Sequence, residues 1–305
     1  MSARRKSVSA DRLLTLGNWL HHAEKQYARH KVALGQVATS AHDEALYLLL
    51  HTLGLPLDSK PAVLRRKLTP EERARIEEVF RRRLVDLVPA AYLTREAWLG
   101  EHRFYVDERV IIPRSYFLEL IPEQLPQWLP AKRPVTRMAD VCTGSGCLAI
   151  MLAHQFGAAK VDAVELSPDA LAVAKFNVAT HGLGRRVKLF HSDVFDAVPV
   201  VKYDLILSNP PYVPTRELRG LPTEFKHEPR LALDGGADGL DIIRKLLRQS
   251  RDRMKPHGIV VLEVGGLRAA MDRAFPELDL HWLHTADGED CVCLVQAVRL
   301  TKWKG

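Results

Sequence analysis

From Arg137 onward, short apolar runs alternate with helical patterns, and this alternation limits what the chain can fold into more than any other feature. The strand candidates are "RMADVC", "KVDAVEL", "RVKLFHS", "YDLILS" and "GIVVLEV", with "CVCLVQAV" as a late strand. The helix candidates are Cys147–His154, Pro168–His181 and Leu240–Met254. A parallel pair of strands needs a crossover long enough to hold a helix, so this order predicts an α/β fold with a mostly parallel sheet wrapped in helices. No internal repeat or low-complexity segment interrupts it.

The chain before this region has another character. In "DRLLTLGNWLHHAEKQY" the residues Leu13, Leu16, Leu20 and Ala23 recur at helical spacing, and "DEALYLLLHTLGL" continues in the same way. A third helix is signalled at its start, where Thr69 is an N-cap candidate, Pro70 suits the first helical position and Glu72 completes a capping box. Ile76, Phe80 and Leu84 would form its buried stripe, and Pro89 ends it. "EAWLGEHRFYVDERVIIP" then shows alternating apolar stretches around Gly100, which read as a hairpin. A length of 305 residues suits a two-domain division.

"DVCTGSGCLAI" places Thr143, Gly144, Ser145 and Gly146 between a strand and a helix. Glycines there let the backbone approach a ligand closely and aim the helix N-terminus at it. Glu165 closes the next strand, 19 residues beyond Gly146, where an acid can accept hydrogen bonds from ribose hydroxyls. Turn and acid fit a nicotinamide dinucleotide and S-adenosyl-L-methionine equally well. Two further acids separate these ligands. Asp140, just before the turn, can meet the ammonium of a methionine moiety, for which a nicotinamide cofactor has no counterpart. Asp193, in "HSD" at the end of the third strand, can accept from an adenine amino group.

The fourth strand ends in "SNPPYV". Proline lacks an N–H and fixes its own φ, and each residue before a proline is pushed to the extended region, so Asn209 and Pro210 are both held nearly rigid. The Asn209 side-chain oxygen and the Pro210 carbonyl then form two fixed acceptors side by side, suited to a planar NH2 group. Pro211 and the aromatic ring of Tyr212 follow at once. Four successive strands thus deliver polar groups to one sheet edge, where open α/β sheets bind ligands.

The formal charge of +7 favours contact with nucleic acid or an RNA-rich assembly. Cys142, Cys147, Cys291 and Cys293 do not match the paired spacing of a zinc ribbon and read as buried, reduced thiols; no metal is expected. No run of eighteen apolar residues occurs, and the basic start "MSARRKS" leads into polar and helical sequence instead of a signal-peptide core, so a cytoplasmic location with no membrane contact is expected.

The order "DVCTGSG", "AVELS", "HSD", "LILSNPPY" resembles the class I S-adenosylmethionine-dependent methyltransferases that modify exocyclic or amide nitrogens. With "VPAAYLT", "FYVDERVIIPR" and "LPTEFKHEPRLALDGGADGLDIIR" the likeness extends to the bacterial glutamine N(5)-methyltransferases. Within these, "PRS" at Pro113–Ser115 and "EFKHEPRLAL" are similar to the branch that modifies the third large-subunit ribosomal protein; the branch acting on release factors usually has proline where Ser115 stands. The resemblance implies a Rossmann-like sheet with a late antiparallel strand, preceded by a helical substrate-recognition domain over 1–88 and a β-hairpin linker over 89–114, with the methyltransferase domain over 115–305. It implies cofactor contacts from Asp140, Thr143, Gly144, Ser145, Gly146, Glu165, Asp193, Val194 and Asn209, and catalysis by Asn209, Pro210, Pro211 and Tyr212. Arg114 and Glu119 fall near the target side chain, as substrate contacts or as members of a plain ion pair. The implied partner is that ribosomal protein, free or in an assembly intermediate, with weak RNA contact. Two departures stand out: Cys142 replaces the usual first glycine of the turn, and Val194 stands where an aromatic often follows the acid, leaving Phe195 as the neighbouring ring. A release-factor glutamine methyltransferase, a nucleic-acid amino methyltransferase and a non-catalytic assembly factor are the competing readings.

Overall fold

A computed structural model describes residues 13–34, 37–286 and 288–305; the basic start lies outside them. The chain divides into two compact units, one of residues 1–96 with 222–227 and one of residues 97–221 with 228–305. All of the hairpin but its first residue falls in the second unit, and six residues from far along the chain join the first.

The helical unit holds α1 (Leu16–His30), α2 (Ala41–Thr52), α3 (Pro70–Leu84) and α4 (Ala90–Thr94). Thr69 and Glu72 form the reciprocal capping box at the start of α3, and Ile76, Phe80 and Leu84 are buried along it. Leu16, Leu20, Leu48 and Leu49 pack with them in one core. At its centre lie charges. Arg83 Nε donates to Glu44 Oε1 at 2.6 Å, Tyr27 donates to the same oxygen at 2.8 Å, and Arg83 Nη2 donates to the Ala33 carbonyl at 2.8 Å. Glu224 arrives from the distant segment, accepts from the Ala33 N–H at 2.7 Å and stands 3.7 Å from Arg83.

The second unit opens with a two-stranded hairpin, β1 (Glu96–Leu99) and β2 (His102–Tyr105), turning at Gly100, whose φ of +61° glycine adopts readily. After α5 (Phe117–Glu123) and α6 (Leu125–Trp128) come β3 (Arg137–Val141), α7 (Cys147–Gln155), β4 (Lys160–Glu165), α8 (Pro168–Thr180), β5 (Val187–His191), β6 (Tyr203–Ser208), α9 (Asp241–Ser250), β7 (Met254–Glu263), α10 (Arg268–Ala274), β8 (His281–Thr285), β9 (Gly288–Gln296) and α11 (Ala297–Leu300). The seven strands lie in the order β5-β4-β3-β6-β7-β9-β8. Pairing is parallel except that β9 runs antiparallel to β7 and β8.

Side chains alternate across the sheet. Met138, Val161 and Leu205 meet α5 to α8 on one face, while Ala139, Ile206 and Val260 meet α9 to α11 on the other. Strands buried on both faces explain why their sequences are continuous apolar runs. The helix expected to reach Met254 stops at Ser250; Arg251–Arg253 form a tight turn and Met254 begins β7. All four cysteines are free thiols. Among the described residues no helix is long and apolar enough to cross a membrane.

Candidate active site

Strand order reverses between β3 and β6, and the C-terminal ends of β3, β4, β6 and β7 meet around that switch point. The turn after β3 needs left-handed backbone at Cys142 (φ 62°), Gly144 (φ 55°) and Gly146 (φ 81°). A Cβ on Gly146 would come within 3.2 Å of the Ala174 Cβ, so glycine there also lets α7 start close against α8. Cys142 holds the same conformation at a steric cost that glycine would avoid.

Asp140 is fully buried. Its Oδ2 accepts from the Thr143 hydroxyl at 2.5 Å and the Ala149 N–H at 2.9 Å, while Oδ1 has no hydrogen-bond partner. Burial first, then the neighbouring Glu165, pushes its pKa up to about 7. An unsatisfied buried carboxylate oxygen is costly, and an ammonium group would satisfy it. Glu165 accepts from the Gly144 and Ser167 N–H groups, both at 2.9 Å, and so ties the turn to β4; each oxygen keeps a further lone pair for a hydroxyl. Burial holds its carboxyl above the usual range. These residues fit the cationic and ribose parts of S-adenosylmethionine. Ser145 is buried, and its carbonyl accepts from Asn177 Nδ2 at 2.9 Å. Asn177 also exchanges hydrogen bonds with the Tyr105 backbone, so α8 clamps the glycine turn and the hairpin together.

Beyond β5, Val194 sits at φ 53°, a strained position for a β-branched residue. Asp193 is ion-paired with Lys245 at 2.7 Å. Phe195 cannot serve as an adenine platform, because Tyr203 stacks on its ring at 5.7 Å and the Arg253 guanidinium lies 4.7 Å from the ring centroid.

The Asn209 turn is braced on all sides. Glycines 235, 239 and 265 crowd it: a Cβ on Gly235 would lie 2.8 Å from the Pro211 carbonyl oxygen, one on Gly239 2.4 Å from that of Tyr212, and one on Gly265 2.7 Å from the Tyr212 ring. Glu263, at the end of β7, is a candidate site residue that sequence reasoning missed. It is 2 % exposed, accepts from Asn209 Nδ2 at 2.9 Å through Oε1, and accepts from the Ser115 hydroxyl at 2.5 Å and the Tyr116 N–H at 3.1 Å through Oε2. Burial pushes its pKa up to about 7. Its only sequence trace is the acid closing "VVLEV", one more strand-end carboxylate at the same sheet edge.

Arg114 forks onto the buried Glu228 at 2.8 and 3.0 Å, the ion-pair alternative. Its charge also acts on Tyr212 and Glu263. Glu119 accepts from the Ala286 N–H at 3.0 and 3.1 Å, which places it at the β8–β9 turn and not with Asn209.

The Methyltransferase small domain family matches residues 122–225. The catalytic domain of hMettl16, solved with a MAT2A 3'UTR hairpin, superposes with a TM-score of 0.50 at 14 % identity, covering 83 % of this chain and 91 % of that one, which shows a shared fold. A ribosomal protein uL3 glutamine methyltransferase of Burkholderia pseudomallei is 45 % identical over 94 % of this chain and 95 % of its own length. Proteins of the same description from Neisseria gonorrhoeae and Bordetella pertussis are 44 % and 45 % identical over 96 % and 94 % of this chain, and 97 % of each relative. At 44–45 % identity over nearly the full length of this chain and of each relative, the chain belongs to the family of ribosomal protein uL3 glutamine methyltransferases.

Proposed function

We propose that this chain methylates the side-chain amide nitrogen of a glutamine in ribosomal protein uL3, the third protein of the large subunit, in the cytoplasm. The observation that carries the mechanism is the anchoring of Asn209 on Glu263. Every donor at Glu263 points to its carboxylate, so Asn209 presents its NH2 there and leaves Oδ1 to face a substrate. S-adenosylmethionine, when bound, supplies an electrophilic methyl group on a sulfonium sulfur. An amide nitrogen is a poor nucleophile because its lone pair is delocalised into the carbonyl. Asn209 Oδ1 and the Pro210 carbonyl accept from its two N–H groups and stabilise the positive charge it gains as conjugation is lost, the reverse in sign of an oxyanion hole. The braced turn supplies orientation. Tyr212 offers its ring to the amide plane or the developing cation, worth about 0.5–2 kcal/mol. No strong base is required, because the alkylated amide loses its proton readily to water.

The helical unit supplies a surface for the protein substrate, and the net charge of +7 suits a partner taken free or from an early, RNA-bearing assembly particle, with weak RNA contact. Labelled cofactor given in parallel to purified uL3, mature large subunits and a release factor tests this. Labelling of free uL3 above the other two is expected. Preferential labelling of the release factor overturns the branch, and label confined to RNA overturns the substrate class.

A further inference from the structure

On the sheet edge opposite the Asn209 turn, three histidines from three separate elements converge. His102 opens β2, His154 lies in the last turn of α7, and His181 caps the C-terminus of α8. α7 starts at the glycine turn and has nine residues, so roughly 13 Å of helix leads away from the cofactor loop before His154. One ligand atom of each histidine lies within 4.8 Å of the other two. The His102 and His154 rings stack at 4.8 Å, and His181 stands edge-on to both, at 5.8 and 5.7 Å.

His181 Nε2 is 3.0 Å from the Arg103 carbonyl oxygen. A carbonyl only accepts, so Nε2 carries the proton and Nδ1 presents its lone pair, the usual outer-shell arrangement for a metal-binding imidazole. Phe104 stacks on the same ring at 5.2 Å and fixes its plane.

We propose that His102, His154 and His181 form a binding site for a zinc-class divalent ion. Three neutral nitrogens without a carboxylate suit zinc, cobalt, nickel or copper and suit magnesium or calcium poorly. Ligation at about 2.0–2.1 Å requires the nitrogens to draw closer than 4.8 Å and the stacked His102 and His154 rings to tilt so that both lone pairs meet one ion, and His154 is the exposed member of the three. Held by residues of three elements, the ion would tie the hairpin to α7 and α8.

Chelator-stripped, untagged full-length protein is titrated with zinc chloride against a chromophoric zinc indicator, and the visible spectrum of the cobalt form is recorded. One equivalent per chain is expected, with a tetrahedral cobalt spectrum and a raised melting temperature. His154→Ala and His181→Ala should each weaken zinc binding at least about tenfold, on the scale of lost metal-site partners. His42→Ala, on the helical unit, is the control that should change nothing. His154→Gln replaces the alanine variant if that one melts lower without metal. The absence of a stoichiometric equivalent, or binding that survives the loss of His154, overturns the site.

Discussion

Glu44 in the helical unit and Glu263 in the catalytic unit are both buried, yet their neighbours differ in kind. Glu44 faces the Arg83 guanidinium at 2.6 Å, with neither side chain reaching solvent. Glu263 is held by a serine hydroxyl, a backbone N–H and an asparagine amide, all neutral, and Asp140 likewise meets a threonine hydroxyl and a backbone N–H. A carboxylate paired with an internal cation has its charge accounted for by the fold. One held by neutral donors remains electrostatically incomplete, and under the proposed mechanism Asp140 and Glu263 both stand where a cation would bind or form. The second unit has cation-paired buried acids of its own, such as Glu228 with Arg114, so it is the neutral-donor environment that sets Asp140 and Glu263 apart.

The comparison breaks most visibly at Arg83. Arg83→Met would strand Glu44 without its cation, and a loss of about 3–5 kcal/mol in the stability of the helical unit is expected in denaturant melts. Stability within 1 kcal/mol of the parent would mean the pair is dispensable. Next in size, Asn209→Ala should lower kcat on the order of 10²–10³-fold and leave cofactor affinity close to the parent, by analogy with loss of one preorganised polar partner. Turnover retained within a few fold would reduce Asn209 to a turn residue. Glu165→Ala should weaken S-adenosylmethionine binding by about 1.5–3 kcal/mol in calorimetry, and an unchanged dissociation constant would remove Glu165 from the cofactor site.

Two smaller effects sharpen the contrast. Asp140 has its pKa raised to about 7, from an ordinary 3.8, when no ligand is bound. Its share of fold stability is therefore full below the ordinary value and lost as pH climbs through 7. A ligand ammonium lowers that pKa, so binding releases a proton below pH 7. Cofactor affinity should rise by up to about tenfold per pH unit toward 7 and then level off. Asp140→Asn should flatten this profile. Finally, Ser115→Ala removes one neutral donor from Glu263, and a fall in kcat corresponding to about 0.5–1.5 kcal/mol is expected with cofactor affinity unchanged.

What could be read from sequence was local. The capping box at Thr69 and Glu72, the glycine turn and the proline-locked end of β6 each lie within a few adjacent residues, and backbone stereochemistry alone selects them. What escaped reading was held together at long range. Asn209 meets Glu263 across 54 residues of chain, and Ser115 reaches the same acid across 148. Neither pair leaves a spacing pattern. Whether Phe195 replaces the missing aromatic was left open by the sequence because exposure cannot be inferred from residue type; Arg253 and Tyr203 pack on its ring. Strand β8, "HWLHT", was missed because it is a short edge strand with partly exposed residues that lacks the apolar run of its neighbours.

The six-residue return of 222–227 into the helical unit sets an order of events during synthesis. Glu224 follows its partner Ala33 by 191 residues. At a translation rate of about 5–20 residues per second, the nascent N-terminal helices wait roughly 10–40 s for the carboxylate that completes their charged centre. Until then Arg83 has only Glu44 as its acid. The helical unit, made before the catalytic unit, is therefore completed late, and its maturation is timed by the passage of β6 and the Asn209 turn out of the exit tunnel.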